Sequence, residues 1–149
     1  MLLTYSPFTN PINAWDWAFP LLECIHIVSF ACSIGMVVLV DLRLLGLAFR
    51  QQTPGTFVKS TNIFSAAGFA VALVSGLLLF STDPLHYYHN AAFRFKITCL
   101  IVAVIFNFTI HAALALRAPS SSAATRLAGA VSLLLWVCVV FGGVYYSFY

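Results

Sequence analysis

The sequence is short of charge. Only 7% of its 149 residues are Asp, Glu, Lys or Arg, and just four are acidic; an average soluble domain carries roughly a quarter. Such a chain cannot present the hydrated surface of a water-soluble fold, and its seven basic residues are too scattered to form a nucleic-acid-binding face. Cysteine is sparse as well. Cys24, Cys32, Cys99 and Cys138 all fall in apolar runs and none forms a Cys-x-x-Cys pair, so small buried apolar residues are expected rather than disulfides or metal ligands. The segment ahead of the first long apolar run lacks a charged n-region and a small-residue cleavage site, so no cleaved signal peptide is expected. No nucleophile, base and orienting group occur at a spacing a hydrolase would use, and no inverted repeat or broken helix of the transporter kind is visible.

What the chain has in abundance is apolar sequence: 62% of it is hydrophobic and the mean hydropathy is +0.98. A helix crossing the hydrocarbon layer takes about 20 apolar residues. Four runs qualify, at about residues 19–47, 63–80, 93–116 and 124–146. The expected fold is all-α: a single transmembrane domain over residues 1–149, an up-down-up-down four-helix bundle in a lipid bilayer. The connection around Pro54-Gly55 and the one around Pro119 to Ser122 read as hairpin linkers. The middle connection differs, because Asp83-Pro84 is a helix start and Leu85-His86-Tyr87-Tyr88-His89 offers one amphipathic turn, so a short interfacial helix is expected there.

Arg43, Arg50, Lys59, Arg117 and Arg126 flank one membrane face, whereas Arg94 and Lys96 lie near the other with Asp16, Glu23 and Asp83. The positive-inside rule makes the first face cytoplasmic, with both ends of the chain and the His86–His89 loop periplasmic in a bacterial inner membrane.

Ionisable groups inside a membrane helix are costly, so each needs a partner or a use. Glu23 and Asp41 share a face of the first helix, about five turns and roughly 27 Å apart. His26 lies one turn after Glu23, and Glu-x-x-His is the spacing that aims a carboxylate and an imidazole at a common point in helix-bundle metal sites. His86 and His89 belong to the same membrane level. His26 with either of them supplies two axial nitrogens for a b-type haem, or all three with Glu23 bind a transition metal. The alternative is that Glu23 snorkels to the interface and hydrogen-bonds the His26 ring, with neither holding a ligand. At the other end Asp41, Arg43, Asn107 and His111 are expected to form a cluster that neutralises its own charges as an interhelical clamp, the alternative being a quinone or proton site.

The run Trp17 to His26, then Gly35 and Asp41-Leu42-Arg43-Leu44-Leu45-Gly46, together with Asn90-Ala91-Ala92-Phe93-Arg94-Phe95-Lys96 and His111, resembles a family of small bacterial four-helix inner-membrane proteins with no assigned activity. The resemblance implies the four-helix fold and carries no activity with it; His86 and His89 fall outside it. By architecture alone the chain is also similar to cytochrome b561-like and copper-resistance membrane proteins. Two functions follow as expectations. One is a membrane redox or metal-binding subunit that is not a stand-alone enzyme, with His26 as ligand and Glu23 beside it, exchanging electrons with a quinone or a protein partner. The other is a cofactor-free structural subunit of a larger complex or homo-oligomer.

Overall fold

The computed structural model describes residues 10–49, 51, 54–111, 113–114 and 122–146. After a 3-10 turn at Pro11–Ala14, the chain forms α1 (Ala18–Leu44), α2 (Pro54–Thr82), α3 (Pro84–His89), α4 (Ala91–Phe106, continued by a π turn over Asn107–His111) and α5 (Ala123–Tyr146). Four of these helices are long and apolar enough to cross a membrane, and no strand occurs among the described residues. The expected all-α four-helix architecture is what the chain adopts. Its exterior is apolar, with Leu73, Leu77, Leu134, Val137 and Phe141 all exposed, the surface a lipid bilayer would cover.

The helix limits differ from the apolar runs for local reasons. α1 stops at Leu44 because Gly46 takes a positive φ of 75°. Its N–H then reaches the Arg43 carbonyl (3.1 Å) and the Leu47 N–H the Leu42 carbonyl (3.0 Å), a Schellman end that satisfies two of the last carbonyls. α2 starts at Pro54, well before the apolar run, since proline already holds a helical φ and needs no N–H at the first position; the apolar span inside it is Phe57–Thr82. α3 forms where expected, and the Asp83 carboxylate accepts from the His86 backbone N–H (3.2 Å) to cap it. The third connection falls largely outside the described residues.

α1 is the hub. It packs most extensively on α2, α4 packs on α5, and a smaller α1–α5 seam joins the two pairs, while no seam of comparable size links α2 to α4. The core of α1, α4 and α5 consists of Ile34, Val37, Ala103, Trp136 and Val139. At the α3 end, α2 and α4 meet through Phe80 and Phe93, whose rings stack with centroids 5.7 Å apart under Tyr87. Asn10 and Asn13 of the leading turn donate to the Ser81 (2.9 Å) and Thr82 (3.3 Å) carbonyls, occupying acceptors that α2 leaves open at its C-terminus.

At Gly46 a Cβ would meet nothing within 4 Å, so an alanine there costs only backbone strain. Gly46→Ala should lower stability by about 1–2 kcal/mol, read from unfolding in mild detergent titrated with SDS. An unchanged midpoint would mean that the α1 turn is not held in this conformation.

Candidate functional site

His26 faces α2, one turn below Glu23. Its Nδ1 lies 2.8 Å from the Ala72 carbonyl and 3.1 Å from the Ser75 hydroxyl. A carbonyl oxygen only accepts, so Nδ1 carries the proton and donates, and in the neutral ring Nε2 keeps its lone pair. Ser75 directs its own proton to the Val71 carbonyl (2.7 Å), which leaves its oxygen free to accept from the imidazole. The ring can come this close because the next residue of α2 is Gly76, where a Cβ would sit 2.9 Å from the His26 Cε1. Any larger residue at 76 would push the imidazole away.

Phe30, one turn further along α1, stacks on His26 with centroids 6.0 Å apart and planes within 10°. The edge of Trp136 packs against it from α5 at 6.4 Å, and the Lys96 ammonium from α4 lies 5.7 Å from the Phe30 centroid. Side chains from α1, α2, α4 and α5 thus meet in one layer beneath the Phe80–Phe93 stack. Glu23 is exposed. It and Lys96 both act electrostatically on the His26 ring, but the ring's hydrogen bond goes to α2. The hydrogen bond expected between Glu23 and His26 is replaced by those of the imidazole to Ala72 and Ser75.

His86 and His89 sit apart from this layer. Both are exposed on α3 and line a shallow concavity of about 430 Å³ with Leu85 and Asn90, and His89 Nδ1 donates to the Leu85 carbonyl (2.8 Å). The His26 partners Ala72 to Gly76 precede Pro84 by eight to twelve residues, about 12–18 Å along the helix. Among the described residues no group of three His, Cys, Asp or Glu side chains is arranged to hold a metal ion. Cys24 and Cys32 turn outward rather than into the core expected for them, and Cys99 and Cys138 are half-buried.

At the opposite end, Asp41 is fully buried and accepts from the Ser132 hydroxyl of α5 (3.0 Å). Arg43 is buried beside it in sequence, and both residues make further contacts. The helices cross closely here, since a Cβ on Gly129 would lie 3.0 Å from the Asp41 carbonyl oxygen. The Asn107 side-chain oxygen is buried with no hydrogen-bond partner among the described residues. The His111 backbone closes the π turn, and its ring lies outside the described side chains. To the residues expected here the structure adds Ser132, a partner of Asp41 that sequence reasoning passed over. The signal was present: Thr125, Ala128, Ser132, Trp136 and Val139 recur at three- and four-residue steps on α5, and all are buried.

One finding places the chain among known sequences: a family model matches residues 18–149. The chain belongs to DUF6644, a family of unknown function. No curated protein and no solved structure matches it. The matched segment of this DUF6644 chain contains both polar layers, His26 with Lys96 and Asp41 with Ser132.

Ser132→Ala removes a donor from a carboxylate that has no water to replace it. A loss of about 1–3 kcal/mol in unfolding stability is expected, measured by the same SDS titration. A loss of only a few tenths would show that Ser132 does not support Asp41.

Proposed function

We propose that this DUF6644 chain is a small membrane redox or metal-binding subunit in which His26 provides a nitrogen ligand through Nε2. The observation that carries this reading is the bond from His26 Nδ1 to the Ala72 carbonyl, 2.8 Å long. Ligating histidines are held in this way: a carbonyl takes the Nδ1 proton, fixes the tautomer and the ring angle, and leaves Nε2 to coordinate.

The donor set discriminates between cofactors. A bare zinc or copper ion asks the protein for three or four ligands, and no such group occurs among the described residues. A b-type haem brings four nitrogens of its own and needs one or two axial ligands, which fits a single oriented imidazole. His86 and His89 belong to α3, so a second axial nitrogen is best supplied by a partner subunit or a second copy of this chain. When bound, haem supplies one-electron transfer, to a quinone or a protein partner. The contribution of this chain is to orient His26 with Ala72 and Ser75, and to keep water off it with Phe30.

The same proposal includes a bacterial inner membrane with the α3 end periplasmic. It is supported by Arg43, Lys59 and Arg126 at the Asp41 end against Arg94 and Lys96 at the other.

A cofactor-free assembly subunit is the second reading, and one observation favours it. α2 and α4 share no extensive seam, which leaves a side of the bundle for a neighbouring helix.

Absorption spectroscopy and elemental analysis of the purified protein separate the two. The redox reading expects a Soret band or stoichiometric metal that disappears in His26→Ala. A wild-type preparation that is colourless and metal-free, yet runs on native gels as part of a larger assembly, would leave the assembly reading in its place.

A further inference from the structure

Lys96 is a charge that the described residues leave unanswered. It is the sixth residue of α4, and its stem lies in a trough made by two glycines of α5. A Cβ on Gly142 would be 3.2 Å from the Lys96 Cβ, and one on Gly143 would be 3.4 Å from its Cε and Nζ. The trough leads the ammonium over the Phe30 ring, 5.7 Å from the centroid. Among the described residues no carboxylate and no hydrogen-bond acceptor contacts it. Glu23 makes no ion pair with it, Asp16 and Asp83 belong to the loops at the α3 end, and Asp41 is engaged with Ser132 at the opposite end.

A lysine within an apolar helix is expensive, and the face of one phenylalanine recovers only part of that cost. If Lys96 served only to snorkel, its stem would have no need of a glycine trough directed into the bundle; a lipid-facing position on α4 would let the ammonium rise to the interface. Instead it is held in the His26 layer with three N–H donors that no described residue accepts. A compact ammonium with open donors beside an aromatic floor is a receptor for an anionic oxygen group.

We infer that Lys96 is the counter-ion for a carboxylate or phosphate group held against Phe30 beside His26. Two sources have this chemistry. One is the propionate of a haem, which rests on the reading above. The other is the phosphate of a membrane lipid, which does not.

Two measurements on the full-length protein distinguish the sources. In nanodiscs of mixed phosphatidylglycerol and phosphatidylcholine, native mass spectrometry is expected to find phosphatidylglycerol retained by wild type and by Lys96→Arg, and lost at least tenfold in Lys96→Met, if lipid is the source. In titrations with haemin and with haemin dimethyl ester, wild type is expected to prefer the free acid at least tenfold if a propionate is the source. Lys96→Met should then bind the two equally. The comparison of haemin with its ester on wild type alone keeps the test valid should Lys96→Met fold poorly. The inference is overturned if wild type retains no anionic lipid preferentially and does not distinguish haemin from its ester. His26→Ala separates the two proposals: haemin binding that survives this change removes the ligand role of His26 and leaves the Lys96 result standing.

Discussion

The structure depends most on what α1 does with its polar side chains once no water is available. In hydrocarbon every polar group has to be satisfied by protein, so a helix carrying His26, Ser33, Asp41 and Arg43 is stable only where its neighbours answer them. α2 answers the first half. The Ala72 carbonyl takes the His26 proton (2.8 Å) and the Ser65 carbonyl takes the Ser33 proton (2.8 Å). Both contacts require close approach, and Gly68 and Gly76 provide it: a Cβ at Gly68 would lie 3.0 Å from the Ser29 carbonyl oxygen. Each such hydrogen bond in a membrane is worth only about 0.6–2 kcal/mol. Their larger effect is on register, since a slip of one residue along α2 would strand the imidazole against apolar side chains.

Satisfying α1 from two sides divides the bundle into layers. At the α3 end lie His26, Ser75, Phe30 and Lys96; at the other lie Asp41, Arg43, Ser132 and Thr125; between them Ile34, Val37, Ala103, Trp136 and Val139 form an apolar plug. The two polar layers are unlike. Asp41 is fully buried, bonded and closed in by Gly129 and Leu44, which suits a clamp. The His26 layer has an oriented nitrogen and an ammonium that the described residues do not use. A site that has to receive something needs such unspent hydrogen-bonding capacity, and a clamp does not.

The four spans were legible because length and hydropathy determine them almost alone. Their ends were less so: hydropathy registers Leu45 and Leu47 as more helix, whereas the conformation of Gly46 decides where α1 stops, and a proline at the first turn lets α2 begin in polar sequence. The histidines were legible as candidates but not as a group. Depth along the chain put His26 and the α3 imidazoles on one side of the membrane, yet it cannot separate two levels about 12–18 Å apart on that side. The partners of His26 were invisible for another reason. A backbone carbonyl has no sequence signature, and Gly76 reads as generic small-residue packing until the ring is seen against it.

The Asp41 layer shows where a face argument stops. The segment from Asn107 to His111 is a π turn, with hydrogen bonds that span five residues rather than four. The α-helical period read from Cys99 to Asn107 therefore changes at Asn107. The same irregularity accompanies the one carboxamide oxygen in the described bundle that is buried without a donor. Ser132 reaches Asp41 because α5 is regular: its buried stripe stays in phase from Thr125 to Val139, and that constancy brings a hydroxyl to the carboxylate.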